Sequence, residues 1–239
     1  MSGEKYYRMD QDRAGLERLD IEPFDIESIR SGWLTDTCIR EIVARFGNLA
    51  SSRVNIVDPV WFGAWIQENG HAPAITPVFF KSRPGVRAVT GLAVPFNEGQ
   101  NHWAALYIDL ENCGAIYFNT MSDMERDNYA RKLMFHFYDV FKEFFAGKGQ
   151  KKFEFVVDDK CAKQGDGASC GIYVTAAVID LLAMARPRTQ RLTDEQIRIF
   201  RENGVKWLSE APKSFDFLMR EATSKPKPKN EVHWDPSIL

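Results

Sequence analysis

The sequence predicts a single α+β domain, and three observations predict it. Runs rich in β-branched and aromatic residues cluster in the middle of the chain. Segments with helical periodicity stand before, between and after them. The 239 residues include 44% hydrophobic side chains, with six Trp and seventeen Phe, enough apolar mass for one sizeable core.

The elements follow in order. Residues 1–20 read as a polar arm. TDTCIREIVARFGNL reads as a first helix, capped by Thr35 or Asp36 and ended by Gly47. Its Ile39, Ile42, Val43 and Phe46 form one buried stripe. PVWFGAWIQENG gives a second helix, with Pro59 near its start and Asn69-Gly70 at its end. VRAVTGLAVPF, HWAALYIDL and AIYFN read as strands, and the turn-like ENCG makes 103–119 a hairpin. A long helix is expected from Asp123 to Phe145, then a strand at FEFVV, residues 153–157. A loop over 158–169 leads to Cys170 and the apolar helix GIYVTAAVIDLLAMA, stopped before Pro187. Two more helices fit 193–203 and 211–222. These readings divide the chain into an arm (1–20), a folded domain (21–223) and a Pro/Lys-rich tail (224–239). No internal repeat is visible.

Charge excludes one class. With 31 basic and 33 acidic side chains, net −2, the chain lacks the basic footprint of a nucleic-acid binder. No apolar stretch approaches the ~20 residues of a membrane span, and the polar N-terminus does not read as a signal peptide. Cysteines stand at 38, 113, 161 and 170, with no CxxC pair. A zinc site from Cys161, Cys170 and a histidine is the weaker reading. Free thiols in a reducing intracellular compartment, cytoplasm or nucleus, are the expectation, reached directly or by delivery as an effector.

One stretch carries chemistry: QGDGASCGIYVTAAV, residues 164–178. A nucleophilic cysteine needs a base, a group that orients the base, and oxyanion donors. Cys170 opens a helix, where peptide dipoles favour a thiolate. Alone, a cysteine there is more often a buried structural thiol. His102, at the mouth of a strand, is the candidate base. Asn119 ends the strand expected to pair with it, and can accept the ring N–H and fix its tautomer. His71 and His136 read as structural, and His233 lies in the tail. Asp109 lies on the same strand as His102, roughly 23 Å away when extended, and reads as a turn cap.

The set resembles the ubiquitin-like-protein-specific cysteine proteases, the adenain-like group that includes the SUMO proteases. HWAALYID followed by IYFNT is similar to that family's His-Trp strand and its acid-bearing second strand, with the same 17-residue spacing. QGDGASCGIYV resembles its Q-x-N-G-x-D-C-G loop, SGWLTDTCI its W-L-N-D segment, and LAVPFN the strand before its histidine. The resemblance runs from about residue 20 to 185.

It implies a papain-like, adenain-like fold: a central mixed β-sheet flanked by helices. It implies Cys170 as nucleophile, His102 as base and then acid, Asn119 as orienter and Gln164 as oxyanion donor. Trp103 would lie over the substrate's C-terminal Gly-Gly in a narrow tunnel, and Trp33 and Asp36 would help line the modifier-binding face. The implied partner is SUMO first, with ubiquitin and the neddylating modifier close, and no metal or organic cofactor is needed.

Three residues depart from the pattern. Asn119 stands where the family usually has Asp, Asp166 where it has Asn, and Ser169 where it has Asp. The first implies lower activity; the last, by removing a carboxylate beside the thiol, is expected to ease its ionisation. Two other readings stay open. One is a modifier-binding module of the same fold with a weakened triad. The other is a related cysteine acetyltransferase, which would want a basic pocket; KGQKK at 148–152 is its candidate, though it reads more simply as a solvated loop.

Overall fold

The computed structural model describes residues 21–46, 53–71, 73, 77–82, 88–99, 101–147 and 151–209. The polar arm, the Gly47 helix stop, the 211–222 helix and the tail lie outside the described residues.

Among the described residues, five strands make one mixed sheet: β1 (Val54–Ile56), β2 (Gly91–Glu98), β3 (His102–Asp109), β4 (Gly114–Phe118) and β5 (Glu154–Val157). They lie side by side in chain order. The central pairs β2–β3 and β3–β4 are antiparallel, and the outer pairs β1–β2 and β4–β5 are parallel. The predicted hairpin is thus β3–β4. Its turn is capped by Asp109, which accepts from the Glu111 and Asn112 N–H groups at 3.1 and 2.8 Å. β1 was not anticipated, because three residues are too short to display a period.

Among the described residues, six α-helices surround the sheet: α1 (Pro23–Ser31), α2 (Asp36–Phe46), α3 (Pro59–Gln67), α4 (Met124–Phe141), α5 (Cys170–Leu182) and α6 (Asp194–Ser209). α1 was also not anticipated. It has a start signal, Pro23 in the first turn, and Asp25 reaches back to the Glu22 N–H at 3.0 Å. The same Asp25 takes the Thr35 hydroxyl at 2.6 Å, and Thr35 caps α2 by accepting the Cys38 N–H at 3.2 Å. α3 ends as expected, at Asn69 and Gly70 with φ of 62° and 65°. A side chain at Gly70 would land 2.5 Å from His136 Nε2, and His136 itself bonds the Gly70 carbonyl at 3.0 Å. That is a structural role for His136. α4 is shorter than predicted and continues as a 3-10 turn through Phe144. α6 runs on to 209, beyond the predicted 203.

Strand alternation sends side chains to two cores. Trp103, Ala105 and Phe118 face α2, α5 and α6. Ala104, Leu106 and Tyr117 face the aromatic layer of α3 and α4, built around Phe62, Trp65, Phe137 and Phe141. α5 lies buried across the middle of the sheet, so its first residue is delivered to the sheet end where β3 begins. Gly171 permits this approach, since a Cβ there would sit 2.8 Å from Leu34 Cβ.

Candidate active site

β3 starts at His102 and β4 stops one residue before Asn119, so both stand at one end of the hairpin. Ala105 pairs with Phe118. One step further, Asn119 comes opposite Ala104, two residues from His102 and on the same face. The side chains meet there: His102 Nε2 lies 2.9 Å from Asn119 Oδ1. Both are buried, at 2% and 1% exposure. Asn119 Oδ1 also accepts the Met121 N–H at 2.9 Å, a bond made only with the amide oxygen toward the ring. His102 therefore donates from Nε2 and keeps the Nδ1 lone pair as its basic site.

Cys170 is the first residue of α5, 2% exposed, and its thiol lies against the backbone N–H groups of Trp103 and Gly171. Burial pushes the thiol pKa up, and the Asp166 carboxylate adds to that, against the lowering from those N–H groups. The expected thiolate-favouring helix terminus is thus outweighed by desolvation. The carboxylate absent at 169 is replaced in effect by Asp166, which Cys170 still feels. His102 is shifted the other way. Burial and the nearby Arg126 lower its pKa, against the Asn119 hydrogen bond and Asp123. Both shifts favour a neutral thiol and a neutral imidazole at rest.

The loop before Cys170 is held by side chains. Asp166 accepts the Ala168 and Ser169 N–H groups, each at 2.7 Å, and the Ser169 hydroxyl at 2.6 Å. Trp33, 47% exposed, donates its indole N–H to the Gly167 carbonyl at 2.8 Å. Arg201 on α6 bonds the Ile29 and Gly32 carbonyls at 3.0 and 2.8 Å and reaches the Ala168 carbonyl at 3.4 Å. Gln164 N–H bonds the Thr120 carbonyl, and Lys163 Nζ bonds the Asn119 carbonyl at 2.7 Å, which zips this loop to the end of β4. Gln164 Nε2 donates to the Asp166 carbonyl at 2.6 Å, and its Oε1 takes the Thr120 hydroxyl at 2.5 Å. Its amide is turned into its own loop.

Trp103 is buried and donates its indole N–H to the Leu34 carbonyl at 2.8 Å. Asp36 opens α2, half-buried, and accepts the Thr37 N–H at 3.0 Å. Sequence reasoning missed Arg201, Lys163, Asp127 and the Glu98–Arg126 pair. Arg201, Asp127 and the Glu98–Arg126 pair reach the site from other elements, Lys163 lies beside Gln164 in the loop, and no local spacing marks any of them. The four cysteines are buried and unbonded to one another, and among the described residues no helix is long and apolar enough to cross a membrane.

A buried cysteine that opens a helix and an amide-oriented imidazole that opens a strand of a mixed sheet make a candidate cysteine-peptidase site on an α+β scaffold. Residues 83–214 match the family model for the Ulp1 protease family, C-terminal catalytic domain, and the chain belongs to that family of cysteine proteases. Solved structures share the fold. The Ulp1 protease domain in complex with Smt3, the yeast ortholog of SUMO, is 16% identical with a TM-score of 0.55, over 87% of this chain and 88% of that one. The Chaetomium thermophilum Ulp1-like SUMO protease catalytic domain is 17% identical with a TM-score of 0.54, over 92% and 94%. The Xanthomonas campestris effector XopD, bound to ubiquitin, is 18% identical with a TM-score of 0.50, over 85% and 100%. No curated protein sequence matches.

Proposed function

We propose that the chain cleaves after the C-terminal Gly-Gly of a ubiquitin-like modifier, in precursors or isopeptide conjugates, with SUMO as the first candidate and ubiquitin the next. The observation that carries this is the buried His102–Asn119 bond at 2.9 Å, at the same sheet end as the helix-opening Cys170. In this reading the His102 Nδ1 takes the Cys170 proton as sulfur attacks the glycyl carbonyl. The imidazolium then protonates the departing amine, and water, deprotonated by His102, hydrolyses the thioester. Gln164 rotates off the Asp166 carbonyl to meet the oxyanion, together with backbone N–H groups near Cys170. Trp103 lies over the Gly-Gly, Trp33 and Asp36 help line the modifier-binding face, and the catalytic domain spans 21–223. Two proteins of this fold, solved with Smt3 and with ubiquitin, support a modifier as the partner.

The test is a panel of ubiquitin, SUMO and related modifiers bearing a C-terminal propargylamide. A modifier-sized mass increase, absent from Cys170→Ala, is expected, and it names the modifier. No adduct from folded protein with any member overturns the peptidase reading and leaves non-covalent modifier binding to be measured.

A further inference from the structure

The His102–Asn119 bond is backed by a third residue, on α4. Asn119 Oδ1 has both its partners in the His102 ring and the Met121 N–H. Its Nδ2 is left, and it faces Asp127 Oδ1 at 3.4 Å. An amide, unlike a carboxylate, has a wrong way round. Flipped, it would offer N–H to His102, make Nε2 the acceptor, and move the ring proton to Nδ1, where the base is needed. An aspartate at 119 has no such fault, but there it would set two carboxylates as close as the present 3.4 Å contact, and one would be forced to hold a proton.

We propose that Asn119 and Asp127 work as one unit. Asp127 is a positioning residue: it locks the Asn119 amide with oxygen toward His102. It also places, one residue further out, the negative charge that asparagine lacks when the imidazolium forms. This rests on the peptidase reading for its catalytic consequence, but not for the lock itself.

The other charges around His102 are already matched. Glu98, directly opposite in the β2–β3 register, takes the Tyr117 hydroxyl at 2.9 Å and Arg126 at 3.1 Å. Asp123 takes Arg126 at 3.1 Å and caps α4. On α5 the first residue, Cys170, reaches the backbone N–H of Trp103, the residue after His102. Asp127 is the carboxylate bonded to the amide that holds the ring.

The experiment compares wild type, Asp127→Ala, Asp127→Asn, Asn119→Asp and the double variant Asn119→Asp/Asp127→Ala. Two readouts are used: turnover of SUMO and ubiquitin aminocoumarin amides, and the nitrogen spectrum of the His102 ring. Asp127→Ala is expected to lower kcat about tenfold with KM unchanged, and to give mixed ring tautomers where wild type shows Nε2–H alone. Asp127→Asn keeps size and an acceptor, so it retains the tautomer and loses only the charge-dependent part of kcat. Asn119→Asp alone is no better than wild type, whereas the double variant recovers to within about threefold of it. A wild-type tautomer and kcat in Asp127→Ala, or a double variant no better than Asp127→Ala, overturns the unit. If wild type turns over neither substrate and forms no adduct with any modifier of the propargylamide panel, the peptidase reading fails, and the ring tautomer alone decides the lock.

Discussion

One half of the candidate site is built on strands and the other on a loop. His102 and Asn119 stand at hairpin ends, where backbone ladders fix the main chain and burial fixes the side chains. Residues 164–169 belong to no strand or helix. Apart from the backbone bond between Gln164 N–H and the Thr120 carbonyl, they hang on single side chains: Asp166 from within, Trp33, Thr120 and Arg201 from outside. A ladder survives most substitutions, because its bonds are backbone to backbone. A loop held by side chains moves when one of them is changed. The candidate base is therefore preset, and the surroundings of the candidate nucleophile are adjustable, with Gln164 resting on the Asp166 carbonyl.

The largest expected effects separate the two halves. His102→Gln can keep a donor to Asn119 but has no titrating base, so kcat/KM falls about 10³-fold with little loss of stability. Gln164→Ala is expected to lower kcat about 10²-fold with KM nearly unchanged, as for loss of one oxyanion donor. If kcat holds in Gln164→Ala, the amide stays on Asp166 during turnover and backbone N–H groups carry the oxyanion alone. Steady-state kinetics on a modifier aminocoumarin amide reads both.

The same division explains what the sequence disclosed. The strand half was legible because an antiparallel hairpin converts a spacing into a contact. Residues 102 and 119 share a face once the turn at 111–114 sets the register. The loop half was only partly legible. Cys170 announced itself between a glycine-rich loop and an apolar run, but the atoms that hold the loop come from Trp33 and Arg201, far away in sequence. α1 and β1 escaped for related reasons, both being too short to display a period, at nine and three residues. The thiol's ionisation was misread because a helix N-terminus is visible in a sequence and desolvation is not.

Asp166→Ala sharpens the contrast at a smaller scale. It removes three hydrogen bonds from the loop and none from the hairpin. The expected cost is about 1 kcal/mol of stability and about a tenfold loss of kcat/KM. Faster amide exchange is expected at residues 167–169 and not at 102–109. Acid should imitate it in wild type. Partial burial opposes the charge on Asp166, yet bonds from Ser169 and Ala168 and the charge of Arg201 hold its carboxyl below the usual range. A depressed carboxylate contributes above its unfolded pKa, and the contribution is lost as pH falls through the folded value. Exchange at 167–169 should therefore rise below about pH 4 while the hairpin stays protected. Uniform exchange across both halves would break the comparison.

The smallest effect tests the resting charge state that joins the halves. Burial first, then Asp166, raises the Cys170 thiol; burial first, then Arg126, lowers His102. An ion pair needs the opposite signs, so both directions favour a neutral resting pair. Carbamidomethylation of Cys170 by iodoacetamide should climb with pH and show no plateau below about pH 8.5, since only thiolate reacts. Asp166→Asn removes the carboxylate that helps raise the thiol and can keep one acceptor for the Ala168 and Ser169 N–H groups. It should shift the profile to lower pH and speed alkylation at pH 7 severalfold. His102→Gln should leave the profile's midpoint nearly in place, because a neutral imidazole contributes no charge to the thiol. A plateau already present at pH 6, abolished in His102→Gln, would mean that the thiolate is preformed by the strand half. The adjustable loop would then have no part in setting its charge.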